Sequence, residues 1–220
     1  MKYYDGRTGH MRDYVLVGVD IGTSSIRARV YDEEACLTSE SRRSIATYIG
    51  RIDGSEYYEQ DPEELYQAFR EAVKSALSKI EARRALMGLS CYSPSLLALD
   101  DRGRPLRRLI LWLDRRACEE AHILVRDLGI KEVYHRTGLR IDPIFHPSRI
   151  LWLRHKEPDV FSKARYFVQA KDYLVYRLTG KLVTDYSTAS ETQLMNLNGR
   201  WDPEILSYLR IHESQLPGLT

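Results

Sequence analysis

One stretch of the chain holds most of its visible chemistry: Gly18-Val19-Asp20-Ile21-Gly22-Thr23-Ser24-Ser25-Ile26-Arg27. Strand alternation sets Asp20 on the opposite face from Val19 and Ile21, at the open end of an apolar run. The turn Gly22-Thr23-Ser24-Ser25 adds backbone N–H groups and hydroxyls, a combination that can cradle phosphate oxygens. A carboxylate next to phosphate is tolerable when a divalent cation, bound directly or through water, offsets the charge. The same pattern also fits a strand-ending Asp that caps its own turn. The common nucleotide signatures G-x-x-x-x-G-K-[ST] and G-x-G-x-x-G do not occur. Ser90, Cys91 and Ser93 lie near another strand end without a local His/acid arrangement, which argues against a hydrolytic nucleophile. The six histidines show no metal-ligand spacing and read as surface or structural residues.

The elements that must position these groups follow from periodicity. Tyr14–Ile21 is short and nearly continuously apolar, as in a central strand buried on both faces. Ile26, Ala28 and Val30 alternate with Arg27, Arg29 and Tyr31 in a second strand, and a third runs through Cys36 to Ala46. At Asp61-Pro62-Glu63-Glu64 the period changes, and a helix starts with Pro at its first position and acids in its first turn. Leu65, Phe69, Ala72, Val73, Ala76, Leu77 and Ile80 continue it at helical spacing. Strands are expected near Leu86–Ser90, Leu96–Leu99 and Leu109–Leu113. Helices are expected over Arg116–Leu128, Pro147–Lys156 and Asp172–Leu178, and from Pro203. A meander followed by alternating strands and helices predicts an α/β class with a mixed sheet. The first ten or so residues, bounded here as 1–12, read as a polar tail.

The 220 residues, 43% hydrophobic and 29% charged, suit an ordinary globular protein with a real core. A net charge of +2 gives no field that calls for nucleic acid or an anionic membrane. No run of roughly 18 apolar residues exists, and the N-terminus lacks a secretory stretch, so the expectation is a cytoplasmic protein. Cys36, Cys91 and Cys118 are too scattered for a disulfide framework and read as buried reduced thiols.

In its motifs the chain resembles the N-terminal domain of the FGGY carbohydrate kinases, members of the actin-like, ribonuclease-H-like ATPase superfamily. The resemblance rests on Gly18-x-Asp20-x-Gly22-Thr23-Ser24-Ser25-x-Arg27, then, in family order, Glu59-Gln60-Asp61-Pro62, Gly88-Leu89-Ser90, Trp112-Leu113-Asp114-Arg115-Arg116, Thr137-Gly138-Leu139 and Ile150-Leu151-Trp152-Leu153. Lys171-Asp172-Tyr173-Leu174, Leu178-Thr179-Gly180, Thr184-Asp185-Tyr186-Ser187-x-Ala189-Ser190, Trp201 and Leu216-Pro217 complete it. It implies an α/β ribonuclease-H-like domain over 13–220, with a mixed sheet of about five strands, helices on both faces, and an inserted sugar-side region around 92–165. It also implies transfer of the ATP γ-phosphoryl group to a hydroxyl of a sugar or polyol. Asp20 would help to hold Mg2+ and ATP, with Gly22, Thr23, Ser24, Ser25 and Arg27 near the phosphates. Trp112 and Asp114 would line the sugar site, an aromatic face beside a hydroxyl acceptor. From the residues alone, the pair fits a core Trp and a helix-capping Asp equally well. Glu59-Gln60-Asp61-Pro62 reads as a helix start, and Thr184-Asp185-Tyr186-Ser187 as side chains satisfying a loop's backbone.

The departures qualify the substrate. Tyr92-Ser93-Pro94 stands where glycerol kinases carry Gln-Arg-Glu and xylulokinases Gln-Met-His, and Ile144 replaces a glycerol-kinase Tyr. Glycerol is disfavoured by these changes. A larger sugar or sugar acid reaching Tyr92, Ser93 and Asp114 fits better. The family's general base is an Asp in a Gly-Asp segment, and none of the 13 glycines here precedes Asp. The expected partner is therefore a C-terminal kinase domain, in cis or in trans, and the chain alone is expected to be catalytically silent. The rival reading is a non-catalytic module binding a sugar, a nucleotide or a partner, with a homodimer as one such state.

Overall fold

The computed structural model describes residues 14–220 except 53, 79, 82 and 83. The tail reading of 1–12 lies outside the described residues. In chain order the elements are β1 (Val15–Ile21), β2 (Ser25–Tyr31), β3 (Leu37–Ser44), β4 (Tyr48–Ile52), β5 (Ser55–Gln60), α1 (Pro62–Leu77), β6 (Ala85–Cys91), β7 (Leu97–Leu99) and β8 (Leu109–Ile110). There follow α2 (Cys118–Leu128), α3 (Ile130–Thr137), α4 (His146–Lys156), α5 (Pro158–Lys163), β9 (Tyr166–Val168), α6 (Ala170–Thr179), β10 (Val183–Thr184), α7 (Tyr186–Ser190), α8 (Pro203–Leu209) and β11 (Gly218–Leu219). The chain divides into two compact units, the first made of residues 1–47 and 63–92, the second of 48–62 and 93–220.

The first unit contains the predicted mixed sheet, with four strands rather than about five, in the order β3-β2-β1-β6. β1 is antiparallel to β2 and parallel to β6, and β2 is antiparallel to β3. Val15, Val17, Val19 and Ile21 are buried with Ile26, Ala28 and Val30, and α1 adds Leu65, Phe69, Ala72 and Ala76 to the buried apolar set of this unit. The helix ends at Leu77 rather than Ile80, where the Ser78 hydroxyl and N–H both turn back to the Ser75 carbonyl.

β1 departs from its expectation. It is buried on one face only, and Leu16, Gly18 and Asp20 all face outward. β6 is exposed along most of its length, with Leu86 at 61%. An unbroken apolar run cannot report this, because apolar residues are common on protein surfaces.

In the second unit the hairpin β4-β5 pairs with β8, β7 pairs with β9, and β10 with β11. The apolar core collects Leu96, Ile110, Leu124, Ile150, Leu151, Trp152, Phe167, Leu194 and Trp201, among others. Capping is explicit. Asp185 Oδ1 accepts from Thr188 N–H at the start of α7, and Asp202 Oδ1 accepts from Glu204 and Ile205 N–H at the start of α8. The Asp185 contact matches the backbone-satisfying role expected of Thr184–Ser187. Periodicity missed the β4-β5 hairpin and the short α3, α5 and α7. Cys36, Cys91 and Cys118 form no disulfide with one another, but none of them is buried as expected: Cys36 is exposed, and Cys91 and Cys118 are half-buried.

Candidate functional site

The β1-β2 hairpin carries the expected phosphate-side residues. Asp20 stands in register with Arg27 on β2 and with Ser90 on β6, on the outward face of the sheet. A pocket of about 430 Å³ on this face is lined by Asp20, Arg27, Arg29, Tyr31 and Ser90, over a stretch that includes Gly18 and Gly88. Those two glycines pair directly across β1 and β6, so bare backbone lies between the polar side chains. Arg29 is tied to Glu40 at 2.5 Å, a pairing that holds Glu40 below the ordinary carboxylate range. Arg27, by contrast, has a buried Nε with no partner.

The turn is closed by Gly22 N–H donating to the Ser25 carbonyl at 2.9 Å. A Cβ at Gly22 would come within 3.2 Å of that same oxygen, which explains the small residue. Ser24 is exposed, its carbonyl accepting from Ile45 N–H, while the Ser25 hydroxyl accepts from Arg42 Nε at 3.0 Å. Asp20, Gly22, Thr23, Ser24, Ser25 and Arg27 thus share one hairpin, with Asp20 and Arg27 facing the same pocket. Among the described residues, no group of three or more His, Cys, Asp or Glu side chains could hold a metal. A magnesium ion held by one carboxylate, substrate phosphates and water needs no such group.

On the expected sugar side, Trp112 and Asp114 lie in the second unit and have different fates. Leu111-Trp112-Leu113-Asp114 forms a turn closed by Asp114 N–H to the Leu111 carbonyl at 3.1 Å. Trp112 is 40% exposed and Leu113 is exposed beside it. Asp114 is 1% exposed, and its carboxylate is fully engaged. Oδ1 accepts from Arg116 N–H and Nε at 3.0 and 2.9 Å, and Oδ2 accepts from an Arg116 terminal nitrogen at 2.7 Å and from Tyr58 N–H at 2.8 Å. The expectation that Asp114 offers a hydroxyl acceptor to sugar is therefore corrected. It is a buried ion-pair member, close to the capping role that the residue type also allowed.

Around this pair runs a charged network that periodicity does not reveal. Arg116 and Arg107 both reach Glu59 Oε1, at 2.8 and 2.6 Å, and Arg107 Nε lies 2.9 Å from Glu157. Both guanidiniums lie over the buried Trp152 ring, at 4.9 and 5.6 Å from its centroid. Arg149, wholly buried, donates to the carbonyls of Leu111, Pro94 (3.4 Å) and Asp114 (3.5 Å). Burial pulls its pKa down to about 9, against the pull of the Asp114 charge. The Asp-x-Arg spacing at 114 and 116 is the one signal in the sequence that points to part of this network.

Tyr92 closes the end of β6, its N–H donating to the Ile21 carbonyl at 3.0 Å, and burial raises its phenol well above the usual value. Ser93 Oγ donates to Gln169 Oε1 at 2.8 Å, and the same oxygen accepts from Ser95 N–H at 3.1 Å. Gln169 Nε2 in turn donates to the Thr188 carbonyl at 2.7 Å.

Residues 15–220 match the family described as FGGY family of carbohydrate kinases, N-terminal domain. The gluconokinase of Bacillus subtilis is 33% identical over 211 residues, 95% of this chain and 40% of its own length. The glycerol kinase of Thermococcus kodakarensis is 35% identical over 223 residues, 94% of this chain and 42% of its own. Among solved structures, gluconate kinase from Lactobacillus acidophilus superposes with a TM-score of 0.89 at 28% identity, covering 94% of this chain and 42% of that one. Plasmodium falciparum glycerol kinase with ADP gives a TM-score of 0.81 at 25% identity, with 94% and 43% covered. The chain thus spans about two fifths of the length of the curated relatives it matches.

Proposed function

We propose, from the premise that this chain belongs to the FGGY family of carbohydrate kinases and corresponds to their N-terminal domain, that it binds nucleotide phosphate on the β1-β2 hairpin and a polyhydroxylated acceptor beside Trp112. The reaction it serves moves the ATP γ-phosphoryl group to a hydroxyl of that acceptor. One observation carries the reading most directly: Asp20 and Arg27 line a common pocket floored in part by bare backbone.

Phosphoryl transfer asks a protein mainly for positioning and charge stabilisation. Arg27 and the N–H and O–H groups of Gly22, Thr23 and Ser24 bind and orient phosphate oxygens. Asp20 holds the cation that accompanies the nucleotide, directly or through water. Magnesium, when bound, supplies neutralisation of polyphosphate charge. Trp112 offers an aromatic face to the C–H side of a carbon chain, and Ser93 offers a hydroxyl at the loop that Gln169 anchors. With Asp114 turned inward, hydroxyl recognition rests on other groups. The base that takes the acceptor's proton is assigned to the part of the longer relatives that this chain does not span. The relatives named above act on gluconate and glycerol, and the loss of a hydroxyl-accepting carboxylate at 114 favours neither.

The test is calorimetric titration of the chain with Mg–ADP and Mg–ATP, then with gluconate, xylulose and glycerol. Asp20→Asn is expected to weaken magnesium-dependent nucleotide binding at least tenfold, by about 1.4 kcal/mol or more. Unchanged nucleotide affinity in that variant overturns the hairpin assignment.

A further inference from the structure

Arg149 is the least expected charge in the second unit. It is wholly buried on α4, and among the described residues no carboxylate contacts it directly, although the charges of Asp114 and Asp142 act on it; its terminal nitrogens go to the backbone carbonyls of Pro94, Leu111 and Asp114. Its Nε has no partner at all. Burying a guanidinium without a direct ion pair is costly, so the fork must return something that an apolar residue at 149 could not.

What it returns is a link between two segments far apart in sequence. Pro94 belongs to the loop that carries Ser93, and Leu111 and Asp114 are the two ends of the turn that exposes Trp112. Each segment has its own second anchor. Gln169 holds the loop through Ser93 and Ser95, and β5 holds the turn through Tyr58 N–H to Asp114 and Leu111 N–H to the Tyr58 carbonyl. Those anchors attach the segments to different elements, and next to them Leu96 and Ile110 exchange backbone hydrogen bonds at 2.9 Å; Arg149 adds a side-chain link that touches both segments directly. A rigid planar fork with several fixed donors can span two carbonyl clusters, and a single ammonium cannot.

We infer that Arg149 is a positioning residue that locks the Ser93 loop and the Trp112 turn into one unit and so presets the acceptor-binding surface without touching the acceptor. The inference rests on the acceptor reading above for its functional meaning. The structural link stands or falls by itself.

The experiment is hydrogen exchange on the whole 220-residue chain, with peptides covering 93–96 and 111–116. In the wild-type protein under mild denaturant, the two segments are expected to open together, with the same free energy and the same denaturant dependence. Independent opening overturns the link. In Arg149→Lys, both segments are expected to exchange about ten to a hundred times faster, the range for loss of charge-assisted hydrogen bonds, while α8 and β1 stay unchanged. Unchanged exchange in both segments of that variant also overturns it. If Arg149→Lys does not fold, the same exchange measurement on Arg149→Gln decides. Titration of Arg149→Lys with the tightest-binding member of the gluconate, xylulose and glycerol panel should show weaker binding by a similar factor, with Mg–ADP affinity intact. Full retention of acceptor affinity in a protein whose segments have loosened rejects the presetting role. Failure of the wild-type chain to bind any of the three counts against the acceptor reading, and the exchange result then still decides the link.

Discussion

Asp20 and Asp114 are both aspartates at the end of an apolar stretch, and the fold treats them in opposite ways. Asp20 lies on a regular strand whose other face supplies the core, so alternation turns it outward into a pocket with Arg27. Asp114 closes a turn immediately before α2, where its carboxylate meets the N–H and the guanidinium of Arg116 and disappears from solvent. A carboxylate is available for ligands when its own backbone neighbours leave its lone pairs unused. The hairpin meets that condition; the Trp112 turn uses its acid to hold itself in shape and exposes the aromatic ring instead.

The largest expected contrast comes from removing each aspartate's arginine. Arg116→Ala strands the Asp114 carboxylate in the interior, leaves Glu59 with Arg107 alone, and should destabilise the chain by about 3–5 kcal/mol in urea unfolding. Arg27→Ala removes a guanidinium whose Nε makes no hydrogen bond and should change stability by less than about 1 kcal/mol. Similar losses from both would erase the distinction.

A pH series sharpens the same division between buried and open groups. Burial lowers His146 to about 3, so between pH 6.5 and 3 the unfolded chain takes up a proton that the native chain refuses, and stability falls as pH falls through that window. Burial raises Asp172 to about 6, which has the reverse sign: between roughly pH 4 and 6 the native chain holds a proton that the unfolded one releases, and stability falls as pH rises. The His146 window is wider, so acid is expected to destabilise overall. His146→Gln should flatten the acid limb, and Asp172→Asn should steepen it. Denaturant midpoints measured from pH 3 to 7 check both signs.

A smaller contrast separates the aspartates themselves. Asp114→Asn loses the charge partner of Arg116 and should cost on the order of 2 kcal/mol. Asp20→Asn is expected to leave the unfolding midpoint within about 0.5 kcal/mol of wild type, because the side chain is exposed. A matched loss in Asp20→Asn would mean that this carboxylate supports the fold after all.

Most of the hairpin is legible in the sequence, because strand period and turn composition are local properties. Asp20, the Gly22–Ser25 turn and Arg27 occupy the positions that alternation assigns to them. The open outer face of β1 is not legible, since Leu16 is apolar wherever it lies. In the second unit Trp112 is exposed rather than a core residue, and the fate of Asp114 depends on Tyr58, which lies 56 positions away in sequence. Arg149 is harder still. In sequence it is one more basic residue near an amphipathic run, and only the tertiary meeting of Pro94, Leu111 and Asp114 gives it a task.

Gly18 and Gly88 face one another across β1 and β6, and a Cβ on Gly88 would meet nothing within 4 Å, while one on Gly18 would touch only Tyr31 at 3.8 Å. Nothing in the packing forbids a side chain there, and glycine within a strand costs roughly 0.5–1 kcal/mol relative to alanine. Any directed-evolution campaign that rewards thermal tolerance alone would therefore be drawn to these two positions. It would recover alanines that improve folding slightly and narrow the pocket beneath Asp20 and Arg27. Gly88→Ala should gain a few tenths of a kcal/mol and, on the proposed hairpin reading, lose nucleotide affinity, so selection for folding would work against the pocket.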